Sequence, residues 1–167
     1  MLGDFSKALC LSGVRVGWMI ERDAVRRQRY LNARSYFTVS NTALGERLAT
    51  LALEHRDAIY TRARSVAGAN LALLDQLFSE YGDVLRWVRP SGGMMAFPWL
   101  ADGSDGREFC HSLLKRGLLM APGDCFGMPS HFRLGFAASG QRFPLALDRF
   151  TEFLRTQMRP RSSVSVA

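Results

Sequence analysis

Two lysines stand out in this sequence because all of its other basic residues are arginine. Of the 22 basic side chains, only Lys7 and Lys115 are lysine. Arginine stays charged, whereas a lysine amine can lose its proton and form an imine with a carbonyl compound. A lysine kept in this background is a candidate for amine chemistry, and the neighbours of Lys7 support that role.

The segment around Lys7 combines a hydroxyl, an amine and a guanidinium at short spacing. Ser6 precedes Lys7, and Arg15 follows eight residues later between Gly13 and Gly17. A guanidinium can hold an anion through two parallel hydrogen bonds, and glycines beside it let the backbone approach a ligand closely. Ser6-Lys7 followed by the Gly-x-Arg-x-Gly run at 13–17 resembles the cofactor-lysine signature of fold type I pyridoxal-phosphate enzymes, specifically the class I/II aminotransferases.

Three more segments resemble the same family and occur in the family's order. They look like its Pro-x-Gly-Gly turn, its Pro-Gly-x-x-Phe-Gly loop near the substrate, and its strand bearing an arginine for the substrate carboxylate. That last role needs a permanently charged donor that can make two parallel hydrogen bonds. The three segments are residues 90–97 (PSGGMMAF), 122–127 (PGDCFG) and 132–137 (FRLGFA), the last of which contains Arg133.

The resemblance implies an enzyme that uses pyridoxal 5'-phosphate (PLP) to transfer an amino group between an amino acid and a 2-oxo acid. Lys7 would form the imine with the cofactor and move the proton at the substrate Cα. Ser6 and Arg15 would bind the cofactor with it, Arg15 through the phosphate, and Arg133 would bind the substrate carboxylate. The resemblance also implies a homodimer.

The architecture implied by the resemblance is α/β and α+β: the end of the large cofactor domain of a fold type I PLP enzyme, followed by its small C-terminal α+β domain. We predict the large-domain remnant at residues 1–56, the small domain at 57–158 and a disordered tail at 159–167. In this family, much of the cofactor site is built by sequence upstream of the lysine. We therefore expect a C-terminal portion that is inactive or weakly active alone.

Hydrophobic periodicity predicts the elements of both parts. Apolar residues at helical spacing indicate helices, and alternating or β-branched runs indicate strands. Residues 1–13 are predicted to form a loop. We predict five helices: one at 22–36, one that begins after a cap at Ser40 or Asn41, and three at 57–81, 104–116 and 143–154. We predict strands at 14–20, 84–88, 94–100, 118–121 and 132–137.

One residue departs from the family pattern and leaves alternatives open. Asp4 stands three residues before Lys7, where many members have a serine or threonine that contacts the phosphate. A carboxylate would repel a phosphate, so we expect Asp4 to point elsewhere. A lyase, cyclase or replacement enzyme on the same scaffold is one alternative, because the lysine motif does not separate these reactions. A non-catalytic, aminotransferase-like regulatory module is another.

The composition bounds the remaining function classes. The net charge of +7 is compatible with a nucleic-acid partner, but the arginines are scattered over several predicted helices and no nucleic-acid-binding motif accompanies them. No apolar run reaches the roughly 20 residues that span a bilayer. Three cysteines without CxxC spacing argue against a metal site or disulfides. These features predict a cytoplasmic protein with no metal and no membrane or nucleic-acid partner.

Overall fold

In the computed structural model, which describes residues 1–157, the chain divides into two compact units. The first is Met1–Arg64, and the second begins at Ser65. The sequence places the domain boundary at 56/57, eight residues earlier; the assignment of each unit to a domain of the family fold stays a prediction. The tail predicted at 159–167 lies outside the described residues. Within those residues, no helix is both long and apolar enough to cross a membrane.

The first unit opens with two short antiparallel strands, β1 (Leu2–Asp4) and β2 (Gly17–Met19). β1 lies where the sequence predicts a loop, because its pairing partner comes more than ten residues later and leaves no local signal. The strand predicted at 14–20 is also shorter than expected. Residues Ser12–Val14 form a 3-10 turn, and Arg15 adopts a left-handed conformation with φ 56°.

Two helices lie wholly within the first unit, α1 (Ala24–Phe37) and α2 (Ala43–Glu54). Each begins at a side-chain cap that satisfies a free backbone N–H group. The carboxylate of Asp23 accepts from the N–H of Arg26 at 2.8 Å, and the hydroxyl of Thr42 accepts from the N–H of Gly45 at 3.0 Å. The cap predicted at Ser40 or Asn41 is therefore wrong by one or two residues.

The second unit contains most of α3 (Arg56–Glu80), followed by short strands in two separate sheets. β3 (Leu85–Arg86) pairs with β5 (Trp99–Leu100), whereas β7 (Phe132–Gly135) lies between β4 (Met95–Ala96) and β6 (Ala121–Pro122). All of these pairings are antiparallel. The helices α4 (Gly106–Leu114) and α5 (Arg142–Gln157) complete the unit.

Two strand predictions in the second unit need correction. The single strand predicted at 94–100 is split between β4 and β5, which belong to different sheets. Pro98 stands between them, and because proline has no backbone N–H it cannot donate to a continuous ladder. The strand predicted at 118–121 begins only at Ala121.

The core of the second unit is rich in aromatic rings. Phe132 of β7 and Phe150 of α5 are almost completely buried. Phe109 of α4 has its ring centroid 4.9 Å from that of Phe132 and 6.2 Å from that of Phe150. β7 alternates regularly, with Phe132 and Leu134 buried and Arg133 exposed. Burial of each such apolar side chain contributes about 1.5–3 kcal/mol, so the core fixes which face of β7 carries Arg133.

Candidate functional site

Lys7 lies in the loop between β1 and β2, which is closed by backbone hydrogen bonds. The N–H of Phe5 donates to the carbonyl of Val16 at 3.2 Å, and the N–H of Leu11 donates to the carbonyl of Phe5 at 2.8 Å. A tight turn inside the loop is closed by the N–H of Cys10, which donates to the carbonyl of Lys7 at 3.0 Å. The backbone that carries the lysine is therefore tied down on both sides.

Two buried side chains flank Lys7 and anchor the loop. Phe5 and Leu9 are only 4% and 2% exposed, and they form a small core with Ala49 and Ala52 of α2. Lys7 lies between these anchors and is itself exposed. The alternation displays the amine outward from a loop whose position is set by apolar packing, an arrangement suited to holding a reactive side chain.

Arg15 turns back onto the same loop. Its backbone is left-handed, a conformation that costs a residue with a side chain about 1–2 kcal/mol. Its guanidinium Nη1 donates to the carbonyl of Ser12 at 3.0 Å and lies 3.5 Å from the Oγ of Ser6. The structure thus brings the guanidinium of Arg15 to the hydroxyl of Ser6, the residue that precedes Lys7.

The carboxylate of Asp4 is engaged with the backbone of the same loop. Its Oδ1 accepts a hydrogen bond from the N–H of Ser6 at 2.5 Å. This hydrogen bond lowers the pKa of Asp4, and the positive charge of Lys7 lowers the same pKa further. The anionic side chain therefore orders the residue next to the lysine.

Arg133 lies in the second unit, on the exposed face of β7. Its guanidinium carbon is 5.2 Å from the centroid of the Phe126 ring, a cation–π contact. Across residues 1–157, the side chain of Arg133 makes no hydrogen bond or ion pair. Its N–H groups therefore have no protein partner in the described part of the chain and can receive an anion.

The segment that presents Phe126 is a short 3-10 helix, Gly123–Phe126, which we call the loop helix. Arg107 of α4 holds it, since its Nε donates to Oδ2 of Asp124 at 2.5 Å and its Nη2 lies 3.6 Å from Sγ of Cys125. The hydrogen bond from Arg107 lowers the pKa of Asp124. Sequence reasoning did not find Arg107, because it lies 17 residues from Asp124 and shares no motif with it.

The aromatic side chains around the loop helix form a continuous series. The ring centroid of Phe97 is 5.6 Å from that of Phe126, with the planes nearly perpendicular, and 5.0 Å from that of His131. His131 in turn stacks on Trp99 at 5.2 Å. Burial lowers the pKa of His131, so its neutral form is favoured at physiological pH. His131 therefore acts as one more ring of the series.

A protein metal site is usually built from several ligand side chains close together. Between residues 1 and 157, no group of three or more His, Cys, Asp or Glu side chains is placed to hold a metal ion.

Comparison with known proteins identifies the family to which these features correspond. Residues 1–146 match the family described as "Aminotransferase class I and II". The chain is 34% identical to capreomycidine synthase of Streptomyces vinaceus, over 95% of this chain and 41% of that protein. It is 32% identical to histidinol-phosphate aminotransferase 2 of Pseudomonas fluorescens, over 86% of this chain and 37% of that protein. The chain thus spans about two fifths of the length of these relatives.

Solved structures give the same result. A PLP-dependent aminotransferase from Streptococcus suis is similar with a TM-score of 0.86 and 29% identity, over 95% of this chain and 42% of that one. A PLP-dependent cyclase, OrfR, is similar with a TM-score of 0.85 and 30% identity, over 92% of this chain and 42% of that one. The predicted fold type I architecture is confirmed by these similarities.

Proposed function

Since the chain belongs to the class I and II aminotransferase family, we propose that it carries the cofactor lysine and the substrate-carboxylate arginine of a PLP-dependent aminotransferase. The reaction would transfer an amino group between an amino acid and a 2-oxo acid. The observation that carries the proposal is the loop in which Lys7 stands exposed between buried Phe5 and Leu9, with Ser6 and Arg15 beside it.

The donor chemistry of this loop fits pyridoxal 5'-phosphate. When bound, that cofactor supplies an aldehyde for an amine, a phosphate dianion, and a ring that withdraws electrons from the substrate Cα. The Nζ of Lys7 would replace the oxygen of that aldehyde, which would leave as water. Once the substrate amine had displaced it, the freed amine of Lys7 would accept the proton that leaves the substrate Cα. Arg15 would bind the phosphate through the N–H groups that Nη1 does not supply, while the contacts of Nη1 with Ser6 and Ser12 hold the guanidinium against the lysine loop.

Arg133 would bind the substrate carboxylate. Its exposed guanidinium has the fixed, planar set of donors that matches a carboxylate, and no protein carboxylate within residues 1–157 competes for it. Arg133 would fix the orientation of the substrate, while Lys7 would move the proton.

Borohydride reduction in the presence of PLP, followed by peptide mapping, tests the role of Lys7. We expect a pyridoxyl group on Lys7 in preference to Lys115, the other lysine of the chain. Lys7→Arg should remove the label while retaining the charge, and the matched Lys115→Arg control should keep it. Equal labelling of both lysines, or undiminished labelling of Lys7→Arg, would refute the assignment.

The same reaction tests Arg15 when PLP is compared with pyridoxal, which has no phosphate. A hydrogen bond to a charged group contributes about 1.5–3 kcal/mol, which corresponds to at least about a tenfold change in affinity. Arg15→Gln should therefore weaken labelling of Lys7 by PLP at least about tenfold while leaving labelling by pyridoxal unchanged. An equal effect on both reagents would remove Arg15 from the phosphate site.

A PLP-dependent cyclase or lyase is the second candidate function, and two observations support it. The relatives include a capreomycidine synthase at 34% identity and a structure described as a PLP-dependent cyclase. Asp4 also replaces the hydroxyl residue that many aminotransferases have at this position. Consumption of a 2-oxo acid acceptor during turnover would favour the aminotransferase, whereas product formed without any acceptor would favour the cyclase or lyase.

We also propose a homodimer and a cytoplasmic location. Several large apolar side chains of the first unit are at least 86% exposed, which supports burial against a partner. They are Tyr36, Phe37 and Val39. All three cysteines are free, as expected in a reducing compartment.

A further inference from the structure

We propose that Phe126 is a positioning residue that holds the Arg133 guanidinium ready for the substrate carboxylate. This inference rests on the proposed function, in which Arg133 binds that carboxylate. It assigns a role to the exposed aromatic residue of the 122–127 loop, which neither the lysine chemistry nor the fold requires. Phe126 is 49% exposed although it is a large apolar side chain.

The first argument is the way in which Arg133 is held. Two other arginines of the second unit, Arg89 and Arg107, are paired with carboxylates. A guanidinium paired in that way must break the pair before it can bind a substrate carboxylate. Arg133 instead lies over the face of Phe126. An aromatic face attracts the cation while leaving the N–H groups at the edge of the guanidinium available for an incoming anion.

The second argument is that the Phe126 ring is itself held in place. The ring of Phe97 meets it nearly edge-on, with an interplanar angle of 84°. The backbone that carries Phe126 is tied to α4 through the pair of Arg107 and Asp124. An exposed ring with this support can limit the rotamers of Arg133, whereas a mobile ring could not.

The third argument concerns the size of the effect. An arginine side chain that is free to rotate loses conformational freedom when it binds a carboxylate, and a preorganised one loses less. A cation–π contact at an exposed site corresponds to about a two- to fivefold change in an equilibrium constant. Removal of the ring face should therefore weaken carboxylate binding by about that factor without changing the fold.

The test is an NMR titration of the 167-residue chain labelled with ¹⁵N-arginine, with pyruvate as the 2-oxo acid probe and sodium chloride at equal ionic strength as the reference. The Nε–H signal of Arg133 is assigned by its loss in Arg133→Lys. Phe126→Leu removes the π face at similar volume, Phe126→Tyr retains it, and Leu119→Ala is a control at a residue 85% exposed on the same unit. The ring-current shift of the Arg133 signal without pyruvate reports the contact directly.

We expect pyruvate to shift the Arg133 signal, with a dissociation constant raised about two- to fivefold in Phe126→Leu and unchanged in Phe126→Tyr and Leu119→Ala. The ring-current shift should be lost in Phe126→Leu and kept in Phe126→Tyr. If the wild-type chain binds pyruvate and Phe126→Leu binds it equally well, the positioning role is overturned and the role of Arg133 stands. If pyruvate leaves the wild-type Arg133 signal unmoved, the carboxylate role of Arg133 is overturned, and this inference with it.

Discussion

Substitution of Gly123 by alanine tests whether the loop helix is held as rigidly as its contacts indicate. Gly123 is buried, and its N–H donates to the carbonyl of His131 at 2.7 Å. A Cβ atom at this position would collide with the carbonyl oxygens of Met128 and His131 and lie 2.7 Å from the carbonyl carbon of His131. All of these neighbours are backbone atoms, so no flexible side chain can move aside to accommodate the methyl group.

The magnitude follows from these contacts. Ordinary carbon contacts lie at about 3.5–4.0 Å, so the segment 128–131 would have to retreat by roughly 1 Å. That shift would stretch the hydrogen bond from Gly123 to His131 beyond its usual range, with a loss of about 1 kcal/mol. Overpacking adds about 1–3 kcal/mol. The expected destabilisation is therefore about 2–4 kcal/mol, which lowers the Tm of a unit of about 100 residues by at least about 8 °C.

The assay is thermal and urea unfolding of the chain, followed by tryptophan fluorescence and near-UV circular dichroism. Gly92→Ala is the matched control, because a Cβ there meets no atom within 4 Å and its φ is not positive. We expect that control to stay within about 0.5 kcal/mol of the wild type. A Gly123→Ala protein that melts within about 2 °C of both would show that the segment yields freely, and the rigidity argued for Phe126 would fail with it.

Three further predictions concern buried groups of the second unit, Asn70 and Cys110. The side-chain amide of Asn70 donates at 2.9 Å to two backbone carbonyls beyond β7, so Asn70→Ala should lower the free energy of unfolding by about 1–3 kcal/mol in urea titrations; an unchanged unfolding midpoint would contradict this. Burial raises the pKa of Cys110 from near 9 to about 11, so we expect iodoacetamide at pH 8 to modify the two exposed cysteines and spare Cys110. Rapid modification of all three cysteines at pH 8 in the folded chain would refute the burial argument. Because the folded state favours the neutral thiol of Cys110, the contribution of this thiol to the free energy of unfolding should be complete below pH 9 and be lost as the pH rises to about 11.

Much of the helical structure is predictable from the sequence because helix signals are local. The apolar spacing along α3 predicts a helix at 57–81, and the structure has it at Arg56–Glu80. The last helix, predicted from the spacing at 143–154, is observed at Arg142–Gln157. Side chains three and four residues apart lie on one face, so the pattern that buries Leu74 and Phe78 is visible without knowledge of their partners.

The strands are harder to predict because their partners are distant in sequence. β1 pairs with residues beyond the lysine loop, and β7 pairs with β4 and β6 from different parts of the chain. Strands of two to four residues carry too few positions for an alternating pattern to be distinctive. The sequence therefore predicts one long strand at 94–100 where the structure has two short ones.

By itself, the sequence predicted which residues do chemistry: Lys7 with Ser6 and Arg15, and Arg133 on an alternating strand. These assignments depend on residue types and short spacings, and both can be read directly from the amino-acid sequence. Only the tertiary structure decided what surrounds them. The buried anchors of the lysine loop pack on α2, and the ring of Phe126 that faces Arg133 is supported by Phe97; both contacts join segments distant in sequence, and such packing has no local signature.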